Sequence, residues 1–329
     1  VKENKRNMKG TISDILLAPW ITELITTAIR LKIFSNLSDG ELTVEEIALK
    51  CEAIPDRLKP LLDACVSLGF LEFENDKYKN SHFSLVYFVE GQRLYVGDFL
   101  KLVNDESLQW FQLTDIIRGH EKTDKKRPYM RSDYQTFIRA MNNLGNLGEA
   151  EALKDMVDLS GCKRMIDAGG GSGVYSVALC QKYPELHSTI VDVKDTLAVT
   201  KQLIADRPEK SRIVLREGDF LKHSLGDNVD AVLLSDVIYE ESMAKIVLRN
   251  AWDSLAQNGV LIIRGYYADP EKSRPLFGAL FAFKELADNA QRKIMTKSIL
   301  EKIVRETGFR IIEVAPLTEY SFVLVGKKQ

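Results

Sequence analysis

Apolar residues change their spacing twice along this chain, and the changes divide it. From Ser13 they fall at positions 16, 17, 20, 21, 24, 25, 28 and 29, the three-and-four spacing of an amphipathic helix. Thr43, Val44, Glu45 and Glu46 have the form of a capping box, in which hydroxyl and carboxylate take up free N–H groups at the start of a short helix running through Ala48. Pro55 opens a third helix, with Leu58, Leu61, Leu62, Cys65 and Leu68 on one face and Gly69 at its end. Residues 70–74 and 78–79 flank Asn75, Asp76 and Lys77 in a hairpin pattern. Three helices followed by a small hairpin predict a winged-helix shape. Residues 92–118 continue with helical spacing, anchored by Phe99, Leu102, Trp110, Phe111 and Leu113. Residues 119–132 are polar and predict an exposed loop. Tyr134, Phe137, Met141 and Leu144 then form a stripe of large side chains on a further helix.

From Met165 onward strand and helix alternate. Met165 and Ile166 are apolar enough for a central strand, a glycine-rich turn follows, and Val174, Val177, Ala178 and Cys180 start a helix that Tyr183-Pro184 ends. Strands at 189–192, 213–216, 229–235 and 260–264 alternate with helices at about 195–205, 241–257, 276–289 and 297–307. Residues 310–314 and 320–326 close the chain as two strands joined near Pro316. So short a connection makes that pair antiparallel, because a parallel return needs a long crossover. The pattern predicts an α/β fold: a Rossmann-like, seven-stranded sheet with an antiparallel C-terminal edge, preceded by a mainly helical winged-helix domain. The expected boundaries are 1–110 for the first domain, 111–158 for a helical linker and 159–329 for the sheet.

Composition narrows the function. The 329 residues suffice for two domains, and 45% hydrophobic with 28% charged residues is ordinary globular material. A formal charge of -2 gives no broad electrostatic reason to bind nucleic acid or anionic lipid. Winged helices often bind DNA, yet the would-be recognition helix carries Asp56, Arg57, Lys59 and Asp63, whose charges cancel. A DNA reader needs a basic face, so packing or dimerisation is the expected role. No apolar run approaches the roughly 18 residues of a membrane span. The first residues, Val-Lys-Glu-Asn-Lys-Arg-Asn, lack the apolar core of a secretion signal. Cys51, Cys65, Cys162 and Cys180 make no metal-type spacing and sit in apolar segments, as free thiols of a cytoplasmic protein would.

The glycine turn carries the first candidate chemistry. Glycines let the backbone turn sharply and let a ligand approach, and the N–H groups of the following helix face that ligand. A dinucleotide fingerprint starting at Gly169 needs glycine at position 174, where Val174 stands. The pattern that fits is acid-x-Gly-x-Gly-x-Gly: Asp167, Gly169, Gly171, Gly173. In an open parallel sheet the ligand lies beyond the carboxyl ends of the strands. Asp192 ends the second strand, where a carboxylate can accept both hydroxyls of a ribose. Asp219 and Phe220 follow the third, an acid for the exocyclic amine of adenine and a ring for its face. Ser235 and Asp236 end the fourth.

With these segments in place the chain resembles the small-molecule O-methyltransferases that use S-adenosylmethionine (SAM) and carry an N-terminal winged-helix dimerisation domain. That group includes plant caffeate-type, bacterial polyketide-tailoring and acetylserotonin enzymes. Ala18-Pro19-Trp20, the cap at 43–46, residues 58–70, Phe137-x-x-Ala140-Met141, Leu159-Ser160-Gly161, 167–173 and 217–220 match its recurring segments in order and spacing, over about residues 13–326. The resemblance implies SAM as cofactor, S-adenosylhomocysteine as product and no metal. It implies SAM binding by Gly169, Asp192, Asp219 and Phe220; Asp167, Gly171 and Gly173 of the glycine pattern and Ser235 at the fourth strand end complete the expected cofactor residues. It also implies a homodimer with intertwined N-terminal domains and a pocket between domains, while charge and the short apolar runs predict no nucleic-acid or membrane partner and the aromatic lining a flat acceptor. Family position and aromatic content make Phe137, Met141, Tyr239, Met243 and Phe281 the candidate substrate contacts, with Trp110, Phe277 and Phe283 as further wall residues.

One departure bears on mechanism. The family's general base is a histidine in a His-Asp-Trp segment after the fourth strand. Here the segment reads Val237-Ile238-Tyr239-Glu240-Glu241, with Tyr239 at the histidine position. The family's lysine four residues earlier is Ser235, and its glutamate before the last large helix falls near Ile294. None of His82, His120, His187 and His223 occupies a matching position. Free tyrosine titrates near pH 10, which makes it a poor base and a good hydrogen-bond partner. Two routes remain. Holding a nucleophile about 3–3.5 Å from the methyl carbon can remove roughly 7–11 kcal/mol of barrier, which suffices for an activated ring carbon, amine, thiol or carboxylate oriented by Tyr239. Bacteriochlorophyll-type C-methyltransferases of this fold resemble the sequence in having tyrosine here. Alternatively Glu240, Glu241 or Asp236 serves as a displaced base for O-methylation. A relative that binds SAM but has lost the chemistry is the competing reading.

Overall fold

The computed structural model describes residues 8–110, 113–120, 134–266, 280, 281, 283, 284, 295–319 and 321–329. The chain divides into two compact units, Val1–Ser107 and Leu108–Gln329.

In the first unit helix α1 (Met8–Arg30) is followed by α2 (Ile33–Asn36), α3 (Val44–Lys50) and α4 (Pro55–Ser67). The capping box at α3 is complete: Thr43 N–H donates to Glu46 Oε2 at 2.8 Å and Glu46 N–H to Thr43 Oγ1 at 3.3 Å. Such a cap contributes about 1 kcal/mol. Strands β1 (Leu71–Glu74) and β2 (Lys77–Asn80) pair antiparallel across Asn75 and Asp76, whose φ of 51° and 62° suit a tight hairpin turn. Phe34, Leu62 and Tyr78 lie at the centre of the core these elements enclose. Helix α5 (His82–Tyr87) then leads to α6 (Gly97–Trp110). The helix expected over 92–118 therefore starts later, because Gln92 to Tyr95 form a turn closed by Tyr95 N–H on Gln92 O.

The second unit begins with α7 (Leu113–Arg118) and α8 (Tyr134–Leu144). The polar loop expected at 119–132 falls outside the described residues except for Gly119 and His120. After α8 the chain kinks within Gly145–Glu149, where Gly148 leaves helical geometry at φ 121°, before α9 (Ala150–Met156). There follow β3 (Arg164–Ala168), α10 (Val174–Lys182), β4 (His187–Asp192), α11 (Lys194–Leu203), β5 (Ile213–Glu217), β6 (Val229–Ser235), α12 (Glu241–Ser254), β7 (Leu255–Gly265), α13 (Lys297–Thr307), β8 (Arg310–Pro316) and β9 (Phe322–Lys327). The helix expected at 276–289 lies mostly outside the described residues.

These strands form one seven-stranded sheet in the order β5-β4-β3-β6-β7-β9-β8. The first five run parallel; β9 is antiparallel to both β7 and β8, as the short final turn requires. Both faces are buried, and side chains alternate between them. Ile166, Val232, Leu234, Leu261 and Ile263 face Val247 and Leu248 of α12 and Leu300 and Val304 of α13. Met165, Ala231, Leu233, Val260 and Ile262 face Leu153 of α9 and Leu179 of α10. Burial on both faces is why these strands read as continuous apolar runs. The chain leaves β3 on one side for β4 and β5, then returns to β6 on the other. That reversal opens a crevice at the carboxyl ends of β3 and β6.

Candidate active site

At the end of β3 the Asp167 side chain is fully buried. Its Oδ2 accepts from Ser176 Oγ at 2.6 Å, and Ser176 Oγ lies 2.8 Å from Ser188 Oγ. Oδ1 has no partner. Burial pushes the carboxyl up to about 7, with the charge of Asp192 adding to the shift and the Ser176 bond opposing it. The glycine turn rests on this acid: a Cβ at Gly170 would sit 2.6 Å from Asp167 Cγ. Gly169 (φ 72°) is equally confined, since a Cβ there would meet Val237 Cγ1 at 2.6 Å and Phe220 Cε1 at 3.0 Å. Gly173 packs inward on Ile190 and Thr200 and does not line the crevice.

Asp192 ends β4 beside the turn. Its Oδ2 accepts from Gly171 N–H at 3.0 Å and its Oδ1 from Val193 N–H at 2.8 Å. Burial raises its pKa, while those backbone bonds and the Thr196 hydroxyl oppose the rise. Thr196 in turn meets the Tyr134 hydroxyl at 2.7 Å, which ties α8 to the strand end.

A cavity of about 210 Å³ opens over these residues. Residues 169–172, Asp192, Phe220 and Ser235 line it. Tyr134, Phe137, Ile138, Met141 and Leu144 of α8 contribute to its wall, as do Tyr175, Asp236, Val237, Tyr239, Arg264 and Tyr266. The cradle fits an adenosyl cofactor: glycines leave room where a Cβ would intrude, a carboxylate waits at the neighbouring strand tip, and the Phe220 ring lies beside Gly169. Asp236 adopts φ 54°, rare outside glycine, with its N–H held by Arg264 O at 2.8 Å. The Tyr239 hydroxyl donates to the Asp236 carbonyl.

Not every expected residue reaches the cavity. Asp219 points to its own turn, accepting from Leu221 N–H at 3.0 Å and pairing with Lys222 at 2.9 Å, which holds its carboxyl below the usual range. Glu240 is the residue before α12 and Met243 lies in its first turn; neither lines the cavity, nor does Glu241. Phe281 stands one layer back, its ring 5.6 Å from that of Tyr266. Phe283 is 47% exposed. The Trp110 side chain, Phe277 and Ile294 fall outside the described residues.

A buried charged cluster went unforeseen. Glu149, just after the kink at Gly148, forms an ion pair with Arg264 at the end of β7. The same carboxylate accepts from the hydroxyls of Tyr175 at 3.1 Å, Tyr266 at 3.2 Å, Thr318 at 3.2 Å and Ser321 at 2.8 Å. The Arg264 guanidinium lies 3.9 Å over the Tyr266 ring centre. The one sequence signal was an arginine closing the apolar run of β7; nothing near Glu149 marked it as the partner. Among the described residues no cluster of three His, Cys, Asp or Glu side chains is placed to hold a metal ion.

A glycine cradle at the switch point of a seven-stranded sheet with an antiparallel last pair defines the SAM-dependent methyltransferase class. Comparison with known families agrees: an O-methyltransferase domain matches residues 123–310 and an O-methyltransferase dimerisation domain residues 13–90. The chain belongs to the O-methyltransferase family, whose cofactor is SAM. The 3-hydroxy-5-methyl-1-naphthoate 3-O-methyltransferase of Streptomyces sahachiroi is 29% identical over 84% of this chain and 82% of its own length. The bacteriochlorophyllide d C-20 methyltransferase of Chlorobaculum tepidum is 24% identical over 91% of this chain and 90% of its own. Human N-acetylserotonin methyltransferase, solved in complex with SAM, shares the fold, with a TM-score of 0.83 at 20% identity over 100% of this chain and 99% of that one.

Proposed function

We propose that this protein methylates a small, flat, conjugated acceptor and does so chiefly by holding it in place. The supporting observation is a single cavity in which the glycine turn and Asp192 adjoin a wall of aromatic and methionine side chains, with no histidine among its lining residues. When bound, SAM supplies an electrophilic methyl group on a sulfonium sulfur. Asp192 then accepts from the ribose, because a carboxylate has about four acceptor sites, and two backbone N–H groups and the Thr196 hydroxyl leave one open here. Phe220 offers its ring face to the adenine, and Gly169 and Gly171 let the backbone approach. Asp219 serves its own turn rather than the cofactor.

On the acceptor side Phe137 and Met141 grip a flat ring from α8. Tyr239 gives its proton to the Asp236 carbonyl, so its oxygen faces an acceptor O–H or N–H as a hydrogen-bond acceptor and orients the nucleophile. Asp236 is the carboxylate in the cavity wall for an acceptor that needs proton removal. The two relatives act on a naphthoate oxygen and a bacteriochlorophyllide carbon; the shared feature carried over here is a flat conjugated ring. Homodimerisation falls to residues 1–110, where Ile15, Leu16 and Trp20 of α1 are exposed. Residues 111–158 supply the acceptor wall and 159–329 the cofactor cradle.

The test is calorimetric titration with SAM and S-adenosylhomocysteine, followed by transfer of labelled methyl groups to flat hydroxy, amino and ring-carbon acceptors. Failure to bind either nucleotide refutes the proposal. Binding without transfer to any acceptor supports the second reading, a relative that has kept the cradle and lost the chemistry along with the histidine.

A further inference from the structure

We infer that Arg264 selects the acceptor, by presenting its guanidinium to an anionic oxygen carried on the ring that is methylated. The inference rests on the methyltransferase reading of the cavity and deepens it to a substrate class.

Sheet order places the charge at the acceptor end. Asp192 tips β4, the glycine turn follows β3, Ser235 tips β6, and Arg264 lies on β7 in register with Ser235. Neighbouring strands lie about 4.8 Å apart, so three steps put Arg264 roughly 14 Å from the Asp192 strand, at the far side of the glycine turn from the adenosine. Tyr239 and Tyr266 line the same cavity as Arg264.

A purely architectural role accounts poorly for the arginine. A buried ion pair is weak evidence of stabilisation, since taking both charges out of water offsets their attraction. Glu149 already accepts from four hydroxyls, on Tyr175, Tyr266, Thr318 and Ser321, which satisfy a carboxylate without any cation. These hydroxyls instead fix Glu149, and Glu149 with the Tyr266 ring fixes the guanidinium in the cavity wall. Arg264 is only 3% exposed, so water screens its charge little. The other charged side chains in the wall are Asp192, assigned to the ribose, and Asp236. A planar guanidinium suits a carboxylate or a phenolate-type oxygen held in the plane of a flat ring. An acceptor that enters already ionised also needs no histidine base.

The experiment measures ligand binding to the protein loaded with S-adenosylhomocysteine. One arm compares 2-naphthoate with 2-naphthamide; the other compares 4-nitrophenol above and below its own ionisation. We expect the anion to bind at least about tenfold more tightly than its neutral mate in one arm or both. R264K should keep part of that preference and E149Q should keep or increase it. The double variant R264Q/E149Q should lose it while retaining cofactor affinity. R264M/E149M gives a second charge-free protein of similar side-chain volume should the glutamine pair fail to fold. A merely structural cluster predicts instead that E149Q and R264K weaken anion and neutral ligand alike, and that outcome overturns the inference. So do equal or absent binding of the anions by the wild type, and a preference that survives in a folded charge-free variant. Wild-type protein that binds no S-adenosylhomocysteine overturns the methyltransferase reading and this inference with it; normal cofactor binding without charge preference overturns this inference alone.

Discussion

Replacing Asp167 with Asn should stabilise the ligand-free protein, and the gain should grow with pH. Burial moves the Asp167 carboxyl from 3.8 to about 7 in the folded state. Between those values the folded protein holds a proton there that the unfolded chain has released. Stability therefore falls as pH rises through this window, and the protonated form's advantage is gone above the folded value. Applying linkage to the two values gives a loss of about 2–3 kcal/mol from about pH 5 to pH 8. Asparagine is neutral throughout, nearly the same size, and can still accept from the Ser176 hydroxyl. The assay is urea unfolding of both proteins across that range, read as the difference between them at each pH so that titrations common to both cancel. The Asn variant should draw level near the acid end and lead by about 2–3 kcal/mol at the alkaline end. Parallel curves, or an Asn variant that falls behind as pH rises, would refute the idea that a buried carboxyl beneath the glycine turn is held protonated by its surroundings.

Three other substitutions probe the cavity. Gly170→Ala sets a methyl 2.6 Å from the Asp167 carboxyl carbon, and overpacking of this kind costs about 1–3 kcal/mol; calorimetry should show a lower Tm and weaker S-adenosylhomocysteine binding. Unchanged values would mean the turn does not rest on the acid. Asp192→Ala removes a charge-assisted bond worth about 1.5–3 kcal/mol, so nucleotide affinity should fall at least about tenfold while circular dichroism stays the same. Tyr239→Phe should lower labelled-methyl transfer by less than about tenfold if positioning is its role; a loss on the order of 10⁴ would identify direct proton transfer.

Much of the architecture was legible residue by residue. The cap at Thr43 and Glu46, the hairpin turn at Asn75 and Asp76 and the proline opening α4 are local stereochemical devices, complete within a few residues. Strands β3, β6 and β7 announced themselves because both faces of the sheet are covered. The glycine turn was readable because backbone geometry and ligand approach demand the same residue type. Asp219 misled: an acid after a strand is placed equally well to cap its own turn, and Lys222 draws it there.

By itself, then, the order of residues determined the element types, the antiparallel closing pair and the place of the glycine turn. All of these follow from short-range periodicity and from the stereochemistry of a few adjacent residues. Only the tertiary structure decided what lies opposite the cradle. It brought Glu149, at the kink between α8 and α9, to Arg264 of β7 and to Thr318 and Ser321 before β9, and it set Phe137 and Met141 in the same cavity as the glycine turn. A buried charge finds partners through space, and those partners can come from any part of the chain, so no local pattern records the pairing.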